Sequence, residues 1–302
     1  MENLRGMAWM TLAMFCFAVA DMFIVFAAGE ISVGLVVLMF GLFGTPLLAV
    51  LARVQGIPLI SPALRSRALW ARNLAEMTAT CAVVLALSLI PFSTFSAILQ
   101  ASPLIVTLGA AVFLREVVGW RRWTAILLGL CGVLMILRPG TAAFEPALLV
   151  AVFGVLALSA RDLITRFVPR EIPSVVIATC GFASTVPAGL LLTLALGDVS
   201  PPSLAAVGYI ATSSVFGAVA YLSITNAMRL GEISVVTPFR YTRLIFAFVI
   251  AYIIFDEVPD GWTWFGAALV VATGLYTILR EGRRKEAAPD PSAGVLSGGG
   301  TR

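Results

Sequence analysis

Histidine is absent from this chain, cysteine occurs only four times, and charged residues make up 12% of it. Each scarcity excludes something. Without histidine there is no metalloprotease helix and no Ser/His/Asp or Cys/His catalytic set. Cys16, Cys81, Cys131 and Cys180 stand singly, without paired spacing, and read as small buried apolar residues rather than a disulfide frame or a zinc site. No glycine-rich loop of phosphate-cradling pattern occurs, so no nucleotide hydrolysis is expected. No cofactor and no metal is expected either.

What the chain has instead is apolar length. Of its 302 residues 60% are hydrophobic, and the mean hydropathy is +1.01, far more apolar surface than one soluble core can use. A bilayer core of about 30 Å takes about 20 apolar residues per helix. Ten stretches of that length lie between polar interruptions, at 7–27, 32–52, 69–90, 93–114, 121–138, 146–167, 174–196, 203–227, 233–255 and 262–280. Connections as short as "IPFS" at 90–93 make consecutive spans antiparallel neighbours. The expectation is an all-α integral membrane protein of ten transmembrane helices, followed by a polar, disordered tail over 282–302.

The formal charge of +4 calls for no nucleic acid, because the basic residues sort by side of the membrane. Loops on the side of the N-terminus collect Arg5, Arg53, Arg121, Arg122, Arg166 and Lys285 among others, whereas the alternate loops hold only Arg138. The positive-inside rule then makes both termini cytoplasmic, in a bacterial inner membrane, and puts the acidic "DEVPDG" at 256–261 outside. The first apolar run is too long for a signal-peptide core and has an internal copy, so it is expected to be retained.

That copy emerges when the chain is slid against itself by 141 residues. Asp21 then coincides with Asp162, "EI" at 30–31 with 171–172, Pro46 with Pro187, Ser93 with Ser234, "EV" at 116–117 with 257–258, and Trp123 with Trp264. Two five-helix units result, 1–140 and 141–281. Five is odd, so the second enters the membrane from the opposite side: two inverted five-helix repeats, an arrangement that secondary transporters use for alternating access, with substrate near the midplane between the repeats.

The segment "AILQASPLIVTLGAAVFLREVVGWRRWTAILLGLCGVLMILRPG" (97–140) resembles the end of the first repeat in the EamA branch of the drug/metabolite transporter superfamily. "GEISVVTPFRYTRLIFAFVIAYIIFDEVPD" (231–260) looks like the same feature of the other half. "SARDLITR" (159–166), "AILQASPL" and "PFRYTR" together resemble the bacterial riboflavin-uptake members. One departure stands out: Phe40, in "LMFGLFGT", occupies a position where those relatives carry arginine. The resemblance implies that spans 1, 3, 4, 6, 8 and 9 surround a central cavity while spans 5 and 10 pack outside it.

Charge inside the spans points to the same place. Asp21, Arg72, Glu76, Arg161, Asp162, Arg240 and Arg243 lie within spans 1, 3, 6 and 9, where a charge costs a few kcal/mol unless it faces protein or water. At 1.5 Å per residue Arg240 is roughly 10 Å and Arg243 roughly 15 Å deep, on one face. Arg72 and Glu76 share a face of span 3, and Asp162 reaches their level from span 6. The expected network is therefore Arg72, Glu76, Asp162 and Arg240, with Asp21 toward the outer half and Arg243 deepest. Two readings stay open: the pairs Arg72–Glu76 and Arg240–Asp162 clamp or gate the helices without touching substrate, or the charges, Asp21 among them, meet the substrate directly. If protons are coupled, Glu76, Asp21 and Asp162 are the buried carboxylates able to carry them. Arg243, helped by Arg240, can present a guanidinium fork to carbonyl or anionic oxygens of a substrate. Arg161, next to Asp162, is expected on another face, snorkelling to the interface.

The offset supplies the opposite wall, since Gln100 maps onto Tyr241 and Ser102 onto Arg243. A planar substrate can lie between them, with Tyr241 stacking or donating. Pro103 and Pro238 either kink their spans or interrupt them and free carbonyls for the cavity. Pro46 and Pro187 read as paired bends, and the paired "EV" as a structural corner. Gly266 and Gly274 suit close packing within one chain or in a homodimer. The functional expectation is a secondary carrier of a small polar metabolite, riboflavin being the specific case the resemblance implies. Another metabolite, such as an amino-acid derivative, S-adenosylmethionine or a carboxylate, is the alternative, and an intramembrane enzyme the third.

Overall fold

A computed structural model describes residues 2–60, 62–113, 119–141, 144–169, 171–197, 201–230 and 233–286. All regular structure among them is helical: α1 Glu2–Ala28, α2 Val33–Val54, α3 Arg67–Leu89, α4 Phe92–Leu99, α5 Ser102–Phe113, α6 Trp120–Leu137, α7 Ala147–Thr165, α8 Ser174–Leu196, α9 Leu204–Leu230, α10 Ile233–Val236, α11 Thr242–Phe255 and α12 Gly261–Glu286. They make ten crossings. The fourth is interrupted between α4 and α5, and the ninth consists of α10, a 3-10 turn over Thr237–Tyr241, and α11.

Eight crossings are long and apolar enough to span a bilayer. The other two depart from that pattern for local reasons: α3 carries Arg72, Asn73 and Glu76, and the apolar part of α6 is only Trp123–Leu137. The chain is a multi-pass membrane protein. With ten crossings, Glu2 and the end of α12 lie on one face, here called the terminal face. Residues 282–286, expected to belong to the tail, are helical, because α12 continues through Glu286; the charged, strongly helix-forming sequence there extends it beyond the apolar segment. Residues 287–302 lie outside the described residues.

The packing obeys the 141-residue offset. Helix α1 lies along α9, and α3 along α7, two contacts that the offset interchanges. Helix α2 packs on α8, α4 on α11 and α6 on α12, each crossing against its own counterpart. These self-pairings mark the pseudo-two-fold axis, as inverted repeats require. Small residues allow the approach. Gly189 lies on the Leu38 backbone, Gly41 on Thr185 and Val186, and a Cβ on Gly132 would fall 2.7 Å from the Gly266 carbonyl oxygen. Gly266 and Gly274 are both occupied inside the chain, the latter by the Tyr241 hydroxyl. In lipid such contacts stabilise by dispersion, not by removing apolar surface from water.

Away from the terminal face the interior is solid. Ile24, Phe92, Phe95 and Ile210 are all buried there, and Phe255 of the second repeat packs its ring 5.4 Å from both Phe26 and Phe92 of the first. Three polar ties cross between the repeats at that end. Glu257 accepts the backbone N–H of Phe92 at 2.9 Å and of Ser93 at 2.8 Å. Arg138 pairs with Asp260, and Ser203 donates to Glu30. The Glu257 carboxylate caps the N-terminus of α4, where unsatisfied N–H groups and the helix dipole favour an anion. This is what the second "EV" corner does; its partner at 116–117 lies outside the described residues.

Candidate functional site

Between the repeats is a cavity of about 410 Å³, within the range of small-molecule sites. Its lining runs from Thr165 and Ser174, at the helix ends on the terminal face, to Ile24 and Val84 deeper in. Beyond that the aromatic packing closes it.

All nine residues singled out from the sequence line this one cavity. Asp21 reaches it from α1, Arg72 and Glu76 from α3, and Asp162 from α7. Gln100 and Ser102 flank the break between α4 and α5, while Arg240, Tyr241 and Arg243 occupy the 3-10 turn and the start of α11. Their pairing differs from the expected network in four respects.

Arg243 pairs with Asp21 across the repeats, so Asp21 joins the charged set from its position late in α1. Uniform α-helical rise along span 9 places Arg243 too shallow. Five residues of 3-10 helix, at about 2.0 Å each, carry it roughly 2–3 Å deeper, and its long side chain covers the rest. Its guanidinium also lies 5.1 Å from the Phe17 ring centroid.

Arg161 does not snorkel away. It lines the cavity and reaches Glu76 at 3.0 Å and Asp162 at 3.0 Å. Helical geometry separates adjacent side chains by about 100°, but α7 packs against α3, and a guanidinium on a flexible stem bends back to the carboxylates that face it. Glu76 also holds Arg72 at 2.6 Å. Arg72 is buried, donates to Asn73 Oδ1 at 3.1 Å and the Ile177 carbonyl at 3.4 Å, and lies against Gly181 of α8. This ionic cluster ties α3 to α7 and α8.

The expected Arg240–Asp162 pair is not formed, since Asp162 is held by Arg161. Arg240 has no ion-pair partner among the described residues. Four arginines thus line the cavity against three carboxylates, leaving one positive charge in excess.

Tyr241 does not aim its phenol at the cavity. The hydroxyl sits against Gly274 of α12, buried and without a hydrogen-bond partner among the described residues. The cavity receives its backbone instead: Gln100 Nε2 donates to the Tyr241 carbonyl at 3.4 Å. Residues 141 apart therefore meet on the pseudo-two-fold axis, at the two helix breaks. Pro103 lacks the N–H that Leu99 would otherwise bond, which fixes one break, and Pro238 sits in the 3-10 turn of the other. Ser102 lies 3.2 Å from the Ser159 hydroxyl of α7.

The apolar wall escaped sequence reading. Phe40 of α2 and Phe182 of α8 pack with ring centroids 4.8 Å apart, and both line the cavity. Gly217 of α9 faces the two ring edges, where a Cβ would stand 3.8 Å from each. Nothing in the local sequence separates Phe182 from a lipid-facing phenylalanine; only the glycines opposite it, Gly41 and Gly44, hinted at a bulky partner.

A ten-crossing helical protein with inverted repeats around a polar, membrane-embedded cavity has the build of a secondary carrier. The chain belongs to the EamA-like transporter family, whose model matches twice, over residues 4–138 and 145–279. The riboflavin transporter of Vibrio cholerae is 31% identical over 182 residues, 60% of each chain; that of Rhizobium johnstonii is 29% identical over 202 residues, 67% of each. The S-adenosylmethionine uptake transporter of Rickettsia prowazekii is 26% identical over 196 residues, 65% of this chain and 66% of that one, just under two thirds of its length. A protein crystal structure superposes with a TM-score of 0.65 at 16% identity, covering 93% of this chain and 99% of the other, which shows the fold.

Proposed function

We propose that this chain is an inner-membrane secondary transporter that takes up riboflavin by alternating access, with both termini in the cytoplasm. The observation that carries the substrate is the make-up of the cavity, an excess of one arginine over the carboxylates beside a phenylalanine wall. Such a site suits a planar, neutral or anionic molecule rich in hydrogen-bond acceptors, which a flavin is. Guanidinium groups donate to ring carbonyls, and the rings of Phe40 and Phe182 offer apolar contact. The relatives named as riboflavin transporters support the same reading.

Sidedness rests on the basic loops of the terminal face. The cavity then reaches toward the cytoplasm while the aromatic packing and the three inter-repeat ties close the outer end. This is a cytoplasm-facing arrangement. In the outward-facing state the three ties part and the helix ends of the terminal face close over the cavity.

S-adenosylmethionine is the second reading, favoured by the Rickettsia relatives. Its sulfonium and ammonium groups outnumber its one carboxylate, so it would add positive charge to a cavity already in excess. The test is growth of a bacterium unable to make riboflavin, carrying this gene, on limiting riboflavin. Growth where the empty strain fails establishes substrate and direction together. No rescue by a protein shown to be in the membrane refutes the riboflavin reading.

A further inference from the structure

We infer that Arg240 is an anion site, which pairs with one negative charge brought into the cavity together with the flavin; this rests on the flavin reading of the same cavity. The cavity holds Arg72, Arg161, Arg240 and Arg243, and three of these are accounted for. Arg72 and Arg161 share Glu76, with Asp162 completing the cluster. Arg243 is taken by Asp21. Only Arg240 faces the cavity without a counter-charge among the described residues, because Asp162, at the level from which it could answer, is turned to Arg161.

A lone charge within a membrane protein is costly and marks a functional position. What relieves it is an anionic oxygen at hydrogen-bond distance. The guanidinium presents five donors in a planar fork, matched to carboxylate or phosphate. The site is placed to receive such a group alongside a ligand: Arg240 lies in the 3-10 turn on the pseudo-two-fold axis, next to the Tyr241 carbonyl that Gln100 holds. The charge can be part of the flavin itself, as in a phosphorylated flavin, or it can be a free inorganic anion bound beside a neutral one. Both present the same chemistry to Arg240.

The experiment measures binding to the purified full-length protein in lipid nanodiscs, with riboflavin and riboflavin 5′-phosphate as probes, each with and without inorganic phosphate. Expected is at least about tenfold tighter binding of the phosphorylated flavin, retained in Arg240→Lys and lost in Arg240→Gln. If instead inorganic phosphate tightens riboflavin binding in the wild type and not in Arg240→Gln, the anion site stands with a free ion as its occupant. Riboflavin binding that responds neither to its own phosphorylation nor to added phosphate overturns the anion site and leaves the flavin reading intact. Should neither flavin bind to a protein that shows a cooperative thermal transition, the flavin reading fails. The anion site is then decided by whether inorganic phosphate raises that transition in the wild type but not in Arg240→Gln. No such shift overturns it too.

Discussion

Replacing Asp21 by Asn leaves Arg243 as a second uncompensated cation in the cavity, and the structure sets the size of the effect. The two side chains are 11% and 20% exposed, so water screens the pair only partly. At about 3 Å and an effective dielectric of about 20, the attraction is about 5 kcal/mol. Desolvation offsets part of this, and removing one partner of such a pair costs about 3–5 kcal/mol, chiefly because the other charge is stranded. Asp21→Asn and Arg243→Gln should each destabilise by about 3 kcal/mol. At about 2–4 °C per kcal/mol for a chain of this order of size, each lowers the thermal midpoint by about 6–12 °C. The double variant strands no charge and should fall by less than either single change. The assay is tryptophan-monitored unfolding of the full chain in detergent for all four members of the cycle. Additive shifts, with the double variant the least stable, would refute the pairing. The same double variant separates structure from function: folded but unable to bind flavin, it shows that the pair serves binding as well as stability.

Glu257→Gln keeps one acceptor oxygen for α4 but loses the charge that both N–H groups share, which should cost about 1–2 kcal/mol; an unchanged thermal midpoint would remove the cap as a tie between the repeats. Gly274→Ala puts a methyl group onto the Tyr241 hydroxyl and should destabilise by about 1–3 kcal/mol. Tyr241→Phe, which discards a buried hydroxyl that has no partner among the described residues, should be neutral or mildly stabilising on its own and should rescue Gly274→Ala only in part, since the ring Cζ would still crowd the new Cβ. A large loss from Tyr241→Phe alone would show that the phenol has a partner elsewhere in the cycle. Ser102→Ala removes only a hydroxyl contact to Ser159 and should cost about 1 kcal/mol or less, well short of Asp21→Asn at the related contact in the other repeat; equal losses would contradict the charge argument.

What the sequence revealed depended on whether a feature is periodic or conformational. Apolar length located the crossings, and a fixed offset located the repeats, because both are written in residue order. Burial of charge led to the cavity, since Asp21, Glu76, Asp162 and Arg240 have no other acceptable surroundings in a membrane. Partner choice was not legible. It turned on the 3-10 turn at Thr237–Tyr241, which lengthens span 9 and rotates α11 about its axis, and on the reach of arginine side chains, which lets Arg161 join a cluster on a face that its Cα does not own. The Phe40–Phe182 wall was hidden for a different reason: lipid and an apolar cavity wall select the same residues, so composition cannot tell them apart. The acidic corner at Glu257 was visible as a repeated dipeptide, yet its role as a helix cap needed the position of Phe92 and Ser93, 165 and 164 residues away.

The repeats share a backbone plan but not a charge plan, and that difference bears on how such a molecule can work. By the 141-residue offset Asp21 corresponds to Asp162, Arg243 to Ser102, and Tyr241 to Gln100. Helix α1 is therefore tied to α11 by an ion pair, whereas the related approach of α7 to α5 is made by two hydroxyls. Interchanging the conformations of inverted repeats generates the two access states of a carrier. If the repeats were chemically identical, those states would be equal in energy. Here one arrangement keeps Asp21 on Arg243 and leaves Arg240 unanswered, and its exchanged counterpart must hold the same charges in different surroundings. In the proposed alternating-access cycle the two states then differ in energy while empty, and a ligand that met Arg240 or displaced Asp21 would change that difference. Coupling of binding to reorientation requires such a differential interaction, and the uneven placement of four arginines and three carboxylates around an otherwise symmetric cavity supplies it.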